Sequence, residues 1–214
     1  MENNPLEEKR KLWEQLLADV KACARIRRSD DSQRNRRAYV RTTFAAIEAL
    51  AHLLRVKVMQ YLELDIQCKA SNALRHDKRS KDHDVHRIEW AKTKTDIPEY
   101  YLLREESHRL DDTGRVRAQF SRFPFAQHVA FSIRMYAKHW GWMESDHFFS
   151  DSRWGDFRNA VRIRNRITHP KELADIELSD DDMDVVHRAE NWFQEAFHQM
   201  VNIHRTRFEE TDLS

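Results

Sequence analysis

Arginine, asparagine and histidine stand at 164, 165 and 169 in the run Arg164-Asn165-Arg166-Ile167-Thr168-His169-Pro170. A guanidinium holds phosphate oxygens through paired N–H donors. An imidazole titrates near neutral pH and can move a proton. Together they suit cleavage of a phosphodiester by an adjacent 2′-hydroxyl, with the arginine stabilising the charge that develops and no metal in the step.

That use depends on where the residues point. A residue before proline avoids the α region, so the helix should end at about Thr168 and His169 should leave it in an extended geometry. On a wheel of about 100° per residue, Arg164 falls roughly 20° from Phe157, among Ala160, Val161 and Ile167 on the apolar face. An unpaired guanidinium there costs on the order of several kcal/mol. Arg164 therefore needs a partner: a carboxylate such as Glu48, a second subunit, or a phosphate. Arg158, Arg162 and Arg166 fall on a separate, solvent-facing stripe. With Lys171 they form a candidate RNA-binding set, since backbone phosphates need only local positive charge. The competing reading is structural: a salt-bridged arginine, and a histidine that caps the helix C-terminus.

The elements that must position these residues read as helices. Three glycines and four prolines in 214 residues leave few breakers. A first helix covers about 5–26. A long second one, about 33–64, carries the stripe Val40, Phe44, Ile47, Ala51, Leu54, Val58 and Tyr61, widened by Ala46, Leu50 and Leu53. Residues 65–115 are charged and weakly periodic, and read as an insertion, partly helical around 99–109. A third core helix opens at Pro124 and stops at Gly141. The motif helix follows a loop. Ser179, with Asp180, Asp181 and Asp182 behind it, is an N-cap that opens the last helix, about 180–208. No segment reads as a strand. The expected fold is all-α, one domain over 1–214.

Charged residues make up 34% of the chain, yet the formal net charge is only +1, which excludes a globally basic nucleic-acid binder. The charge is segregated. Residues 21–41 carry eight Lys/Arg against two Asp, 153–171 carry six against one, and 172–184 carry seven acids and no base. The basic runs are solvated faces or local phosphate-binding surfaces. No apolar run approaches the ~18 residues a membrane helix needs. The N-terminal residues have no signal-peptide core, so a cytoplasmic protein with free Cys23 and Cys68 is the expectation.

Arg164-Asn165-x-x-x-His169, near the end of the penultimate helix of an all-α chain, resembles the HEPN signature. That signature is an arginine, usually a polar residue after it, and a histidine after four to six intervening residues. Looser Arg/His pairs occur at Arg79/His86, Arg122/His128, Arg134/His139 and Arg162/His169, but the R-N-x-x-x-H form occurs once. The resemblance covers the motif and the helical layout over about 33–64 and 117–208. It implies a helical bundle, and the charged insertion at 65–115 has no counterpart in it. It implies a metal-independent endoribonuclease that needs no cofactor and works in a toxin–antitoxin or phage-defence system. It further implies a homodimer with a composite active site, and an antitoxin as partner. Arg164 and His169 carry over as catalytic and Asn165 as the polar motif position. The alternative is an inactive HEPN-like dimeric scaffold, or the partner of an antitoxin or nucleotidyltransferase.

Other residues weigh less. His76, His83 and His86 lie among Asp77, Asp82 and Asp84, but without a fixed further ligand they read as a solvated charged stretch and not as a metal site. Trp140, Trp142 and Trp154 could stack bases, though large aromatics at helix ends are more often core.

Overall fold

The computed structural model describes residues 5–76, 102–103, 106–110, 115–120, 123–142 and 146–211, with side chains throughout except at 5–10, 65–66, 68–76, 106–110, 116–120 and 203–211. The chain divides into two compact units, residues 1–53 with 125–214, and residues 54–124. The motif lies in the first.

The first unit is an all-α bundle. It contains α1 (Pro5–Ser29), the N-terminal part of α2 (Gln33–His76), α3 (Phe125–Trp140), a short α4 (His147–Ser150), α5 (Ser152–Thr168), a 3-10 turn (Leu173–Ile176) and α6 (Asp180–Thr211). Local chemistry sets the ends. Between α1 and α2, the Asp30 carboxylate accepts from the Ser32 backbone N–H at 3.2 Å and from the Asn35 amide at 2.8 Å. Gly141 ends α3 at φ 70°. The Trp142 N–H reaches back to the Ala137 carbonyl at 2.8 Å and the Gly141 N–H to that of Lys138 at 3.4 Å, a Schellman closure that a Cβ would strain. Ser179 opens α6 as its sequence predicts. Its hydroxyl accepts from the Asp182 N–H at 3.1 Å, and the Asp182 carboxylate accepts from the Ser179 N–H at 3.1 Å.

The core is aromatic. Phe157 and Trp192 are fully buried with ring centroids 4.9 Å apart, and Trp154 stacks on Phe157 at 5.2 Å. The Trp192 indole N–H is satisfied by the Phe148 carbonyl at 3.1 Å. Phe44 completes the cluster from α2, 6.2 Å from Phe157. Trp142 and Trp192 are buried, and Trp154 is half-buried in this packing, so Trp142 and Trp154 belong to the core region and not to an open face.

The second unit holds the rest of α2, on which Leu54 and Val58 are buried, a helical Leu102–Leu103, and an antiparallel hairpin, β1 (Glu106–Leu110) with β2 (Val116–Phe120). Its register pairs Glu106 with Phe120 and Leu110 with Val116. The hairpin corrects the expectation of no strand and of helix up to 109. Asp111-Asp112-Thr113-Gly114, residues typical of turns, precede an alternating β2, but β1 before them has no apolar alternation. Helix α2 also continues to His76, so the charged stretch begins as helix. The Cys68 and His76 side chains, and Asp77, Asp82, His83, Asp84 and His86, lie outside the described residues.

Candidate functional site

Helix α5 carries the motif. Asp151 caps its start, accepting from the Arg153 N–H at 2.9 Å. Its end is held by three donors to carbonyls of the last turns, two of which, those of Asn165 and Ile167, have no partner within an α-helix. The Thr168 hydroxyl donates to the Arg164 carbonyl at 2.7 Å, the His169 N–H to that of Asn165 at 3.0 Å, and the Arg41 guanidinium to that of Ile167 at 2.8 Å. Arg41 comes from α2, so tertiary structure fixes the last turn. No pattern around Arg41 marked it for this role, because its acceptor is a backbone atom far along the chain.

His169 follows at φ −128° and ψ 59°, out of the helical region, as the proline after it requires. It is exposed, and its imidazole makes no hydrogen bond among the described residues. Arg164 is not deep in the core: its side chain is 26% exposed. Its guanidinium lies 5.5 Å from the Phe125 ring centroid, donates to the Asn165 side-chain oxygen at 3.1 Å, and stands 3.7 Å from the Glu48 carboxylate. Glu48 is therefore the partner that the sequence named, but the pair is loose and Glu48 is itself 54% exposed. Such a pair holds its members by less than about 1 kcal/mol. The other guanidinium N–H groups make no hydrogen bond among the described residues.

The basic stripe divides. Arg158 and Arg162 are exposed, with Arg162 bonded only to the neighbouring Asn159 at 2.9 Å. The Lys171 side chain is exposed. Arg166, expected on the solvent face, is instead half-buried: it donates to the Asp182 carboxylate at 2.7 Å and to the Glu177 carbonyl at 3.1 Å. Its charge is engaged within the fold.

Two arginines of the N-terminal basic run are engaged in the same way. Arg36 bridges Asp31 and Asp180, each at 2.6 Å, and also donates to the Leu178 carbonyl at 2.8 Å. Arg37 donates to the Ile176 carbonyl at 2.9 Å. Gln33 and Leu178 exchange two hydrogen bonds, at 2.9 and 2.8 Å. The basic start of α2 thus lies against the acidic 172–184 segment. Among the described residues near the motif, Arg158, Arg162 and Lys171 are the exposed cations of the expected set, the last close enough for its charge to act on Asp175.

Among the described residues no three His, Cys, Asp or Glu side chains gather as a metal site, and no helix is long and apolar enough to cross a membrane. Cys23 is a free thiol, 3.5 Å from the Thr42 hydroxyl. No family model matches the sequence, and no curated protein or solved structure matches it.

Proposed function

We propose that the protein is a metal-independent endoribonuclease of the HEPN type, with Arg164 and His169 as catalytic residues and Asn165 as the residue that orients Arg164. One observation carries this reading. Arg164 and His169 share a rigidly capped helix end, and neither is committed to a strong internal partner. Conserving a fold does not need an arginine held so loosely or an imidazole left without a bond.

In this mechanism the ribose 2′-oxygen attacks the adjacent phosphorus while His169 takes or relays its proton. The P–O5′ bond breaks, the leaving 5′-oxygen gains a proton, and a 2′,3′-cyclic phosphate remains. Proton transfer of this kind contributes roughly 10²–10⁴ in rate. Arg164 would stabilise the added charge on the phosphorane-like transition state. Arg158, Arg162 and Lys171 would hold the RNA backbone. We place the activity in a cytoplasmic toxin–antitoxin or defence role, with an antitoxin protein as partner. A homodimer would bring two motifs into one cleft across an interface on the order of 1,600 Å².

The test is cleavage of a short RNA in excess chelator. Cleavage that persists and leaves 2′,3′-cyclic ends is expected. Cleavage that stops with EDTA and returns with Mg²⁺ or Mn²⁺ would assign the chemistry to carboxylates instead. The contacts of Arg164 with Phe125 and Glu48 support a second reading, an inactive scaffold in which the arginine only packs; complete absence of cleavage by the homodimer would favour it.

A further inference from the structure

We propose that the cleft between α1, α2 and α6 binds a small amphipathic anion, a carboxylate on a hydrocarbon body of about ten carbons. The proposal is independent of the ribonuclease reading, because none of Arg164, Asn165 and His169 lines this cleft.

Its volume is about 340 Å³. At roughly 30 Å³ for each non-hydrogen atom, it takes about a dozen such atoms. One end is apolar: the Trp13 and Phe197 rings meet at 4.5 Å, and Leu17, Ile47, Leu50 and Phe193 continue the wall. The polar end of the lining includes Glu190 and Gln194, which belong to a chain of hydrogen bonds whose other members, Arg27, His187 and Tyr39, do not line the cleft. The Arg27 guanidinium can only donate, so it donates to His187 Nε2 at 2.7 Å. His187 Nδ1–H then donates to the Tyr39 oxygen at 2.9 Å, and the Tyr39 hydroxyl donates to Glu190. The second Glu190 oxygen accepts from the Gln194 amide at 3.0 Å. Burial first, and the Glu190 carboxylate next, push the Tyr39 hydroxyl well above its usual range, which keeps the chain protonated there.

Two polar groups of the lining are unused. Thr43 lines the cleft and is only 2% exposed. Its hydroxyl lies beside the Tyr39 oxygen, already engaged, and makes no hydrogen bond of normal geometry. Buried hydroxyls are rarely left so. Lys21, which also lines the cleft and is exposed, has no partner among the described residues, whereas Glu190 has both oxygens occupied. An anionic head would find one free cation and one free hydroxyl, and its body would lie towards Trp13 and Phe197.

The experiment titrates decanoate into the full chain, read by tryptophan fluorescence and thermal shift, with decanol as the uncharged control. Saturable binding is expected, with decanoate several-fold tighter than decanol and raising Tm. Thr43→Val should leave the free protein as stable as wild type or more so, since it removes an unpaired buried hydroxyl, yet weaken decanoate about two- to tenfold. Lys21→Gln should weaken decanoate about two- to fivefold and leave decanol unchanged. Absence of saturable binding overturns the proposal, as does decanol binding as well as decanoate. It is also overturned if Thr43→Val destabilises the free protein and spares binding, or if the cleft proves to be covered by a second copy that decanoate displaces.

Discussion

Replacing Arg166 with alanine tests whether its charge belongs to the fold or to RNA. Its guanidinium is tied to Asp182 at 2.7 Å, with side chains 36% and 19% exposed. Asp182 is also the acid that closes the α6 cap on the Ser179 N–H at 3.1 Å. A charge-assisted hydrogen bond is worth about 1.5–3 kcal/mol when sheltered. Partial exposure of both partners discounts that to about 1 kcal/mol. Arg166→Ala should therefore lower stability by about 1 kcal/mol, a Tm loss of roughly 2–4 °C for a chain of this size. Asp182→Ala removes the bridge and half the cap, about 1 kcal/mol more. The double variant should be less destabilised than the sum of the two, by a coupling of about 0.5–1.5 kcal/mol. Urea denaturation of the four proteins measures this directly. A coupling of zero, with Arg166→Ala fully stable and RNA affinity sharply reduced, would refute the reasoning and return Arg166 to the RNA-binding surface.

Three further outcomes follow from the same geometry. Hydrogen bonds from Arg36 to Asp31, from the Arg153 N–H to Asp151 and from the Lys171 N–H to Asp175 hold these three carboxyls below their usual value near 3.8. Depressed folded values mean that their stabilisation is complete above about pH 4 and is lost as pH falls through the folded values below that. Asp151→Asn should accordingly lower stability at neutral pH and flatten the acid limb of a pH–stability curve; an unchanged acid limb would show that Asp151 contributes nothing there. Gly141→Ala should cost about 1–2 kcal/mol in denaturant melts because φ is 70°, and a neutral result would mean that α3 does not end in the left-handed closure. Arg162→Ala should reduce the slope of log affinity for single-stranded RNA against log salt by about 0.7; an unchanged slope would remove Arg162 from the RNA path.

Helix ends were legible in the sequence because their chemistry is local. Ser179 with its following acids, Gly141 after Trp140, and His169 before Pro170 each act on backbone within a turn. The core stripe of α2 was legible through its period: Val40, Phe44, Ile47, Ala51, Leu54 and Val58 are all buried. Pairings between distant segments were not. The basic run at 21–41 and the acidic run at 172–184 were each plain, but nothing in a linear sequence says that Arg36 meets Asp180. The wheel angle of Arg166 points to solvent, and a wheel contains nothing of Asp182 on another helix. The same wheel puts Arg164 on the core face. Beside it stand Phe125 and the exposed Glu48, and the side chain stays 26% exposed although Ile167, nearer the helix end, is fully buried. The hairpin is hard to see because each strand has only five residues and β1, Glu-Ser-His-Arg-Leu, has no apolar alternation; in β2 the alternation of Val116, Ala118 and Phe120 with Arg117 and Gln119 was there to be read.

The most direct test is single-turnover cleavage of a short RNA by wild type, His169→Ala and Arg162→Ala, at saturating protein and in excess chelator. The His169 imidazole bonds to nothing among the described residues, so its loss should leave the melting curve unchanged. The cleavage rate of His169→Ala should fall by roughly two to four orders of magnitude, while Arg162→Ala, already saturated, should cleave near the wild-type rate. His169→Ala cleaving as fast as wild type, with Arg162→Ala inactive, would contradict the assignment of Arg164 and His169 as the catalytic pair.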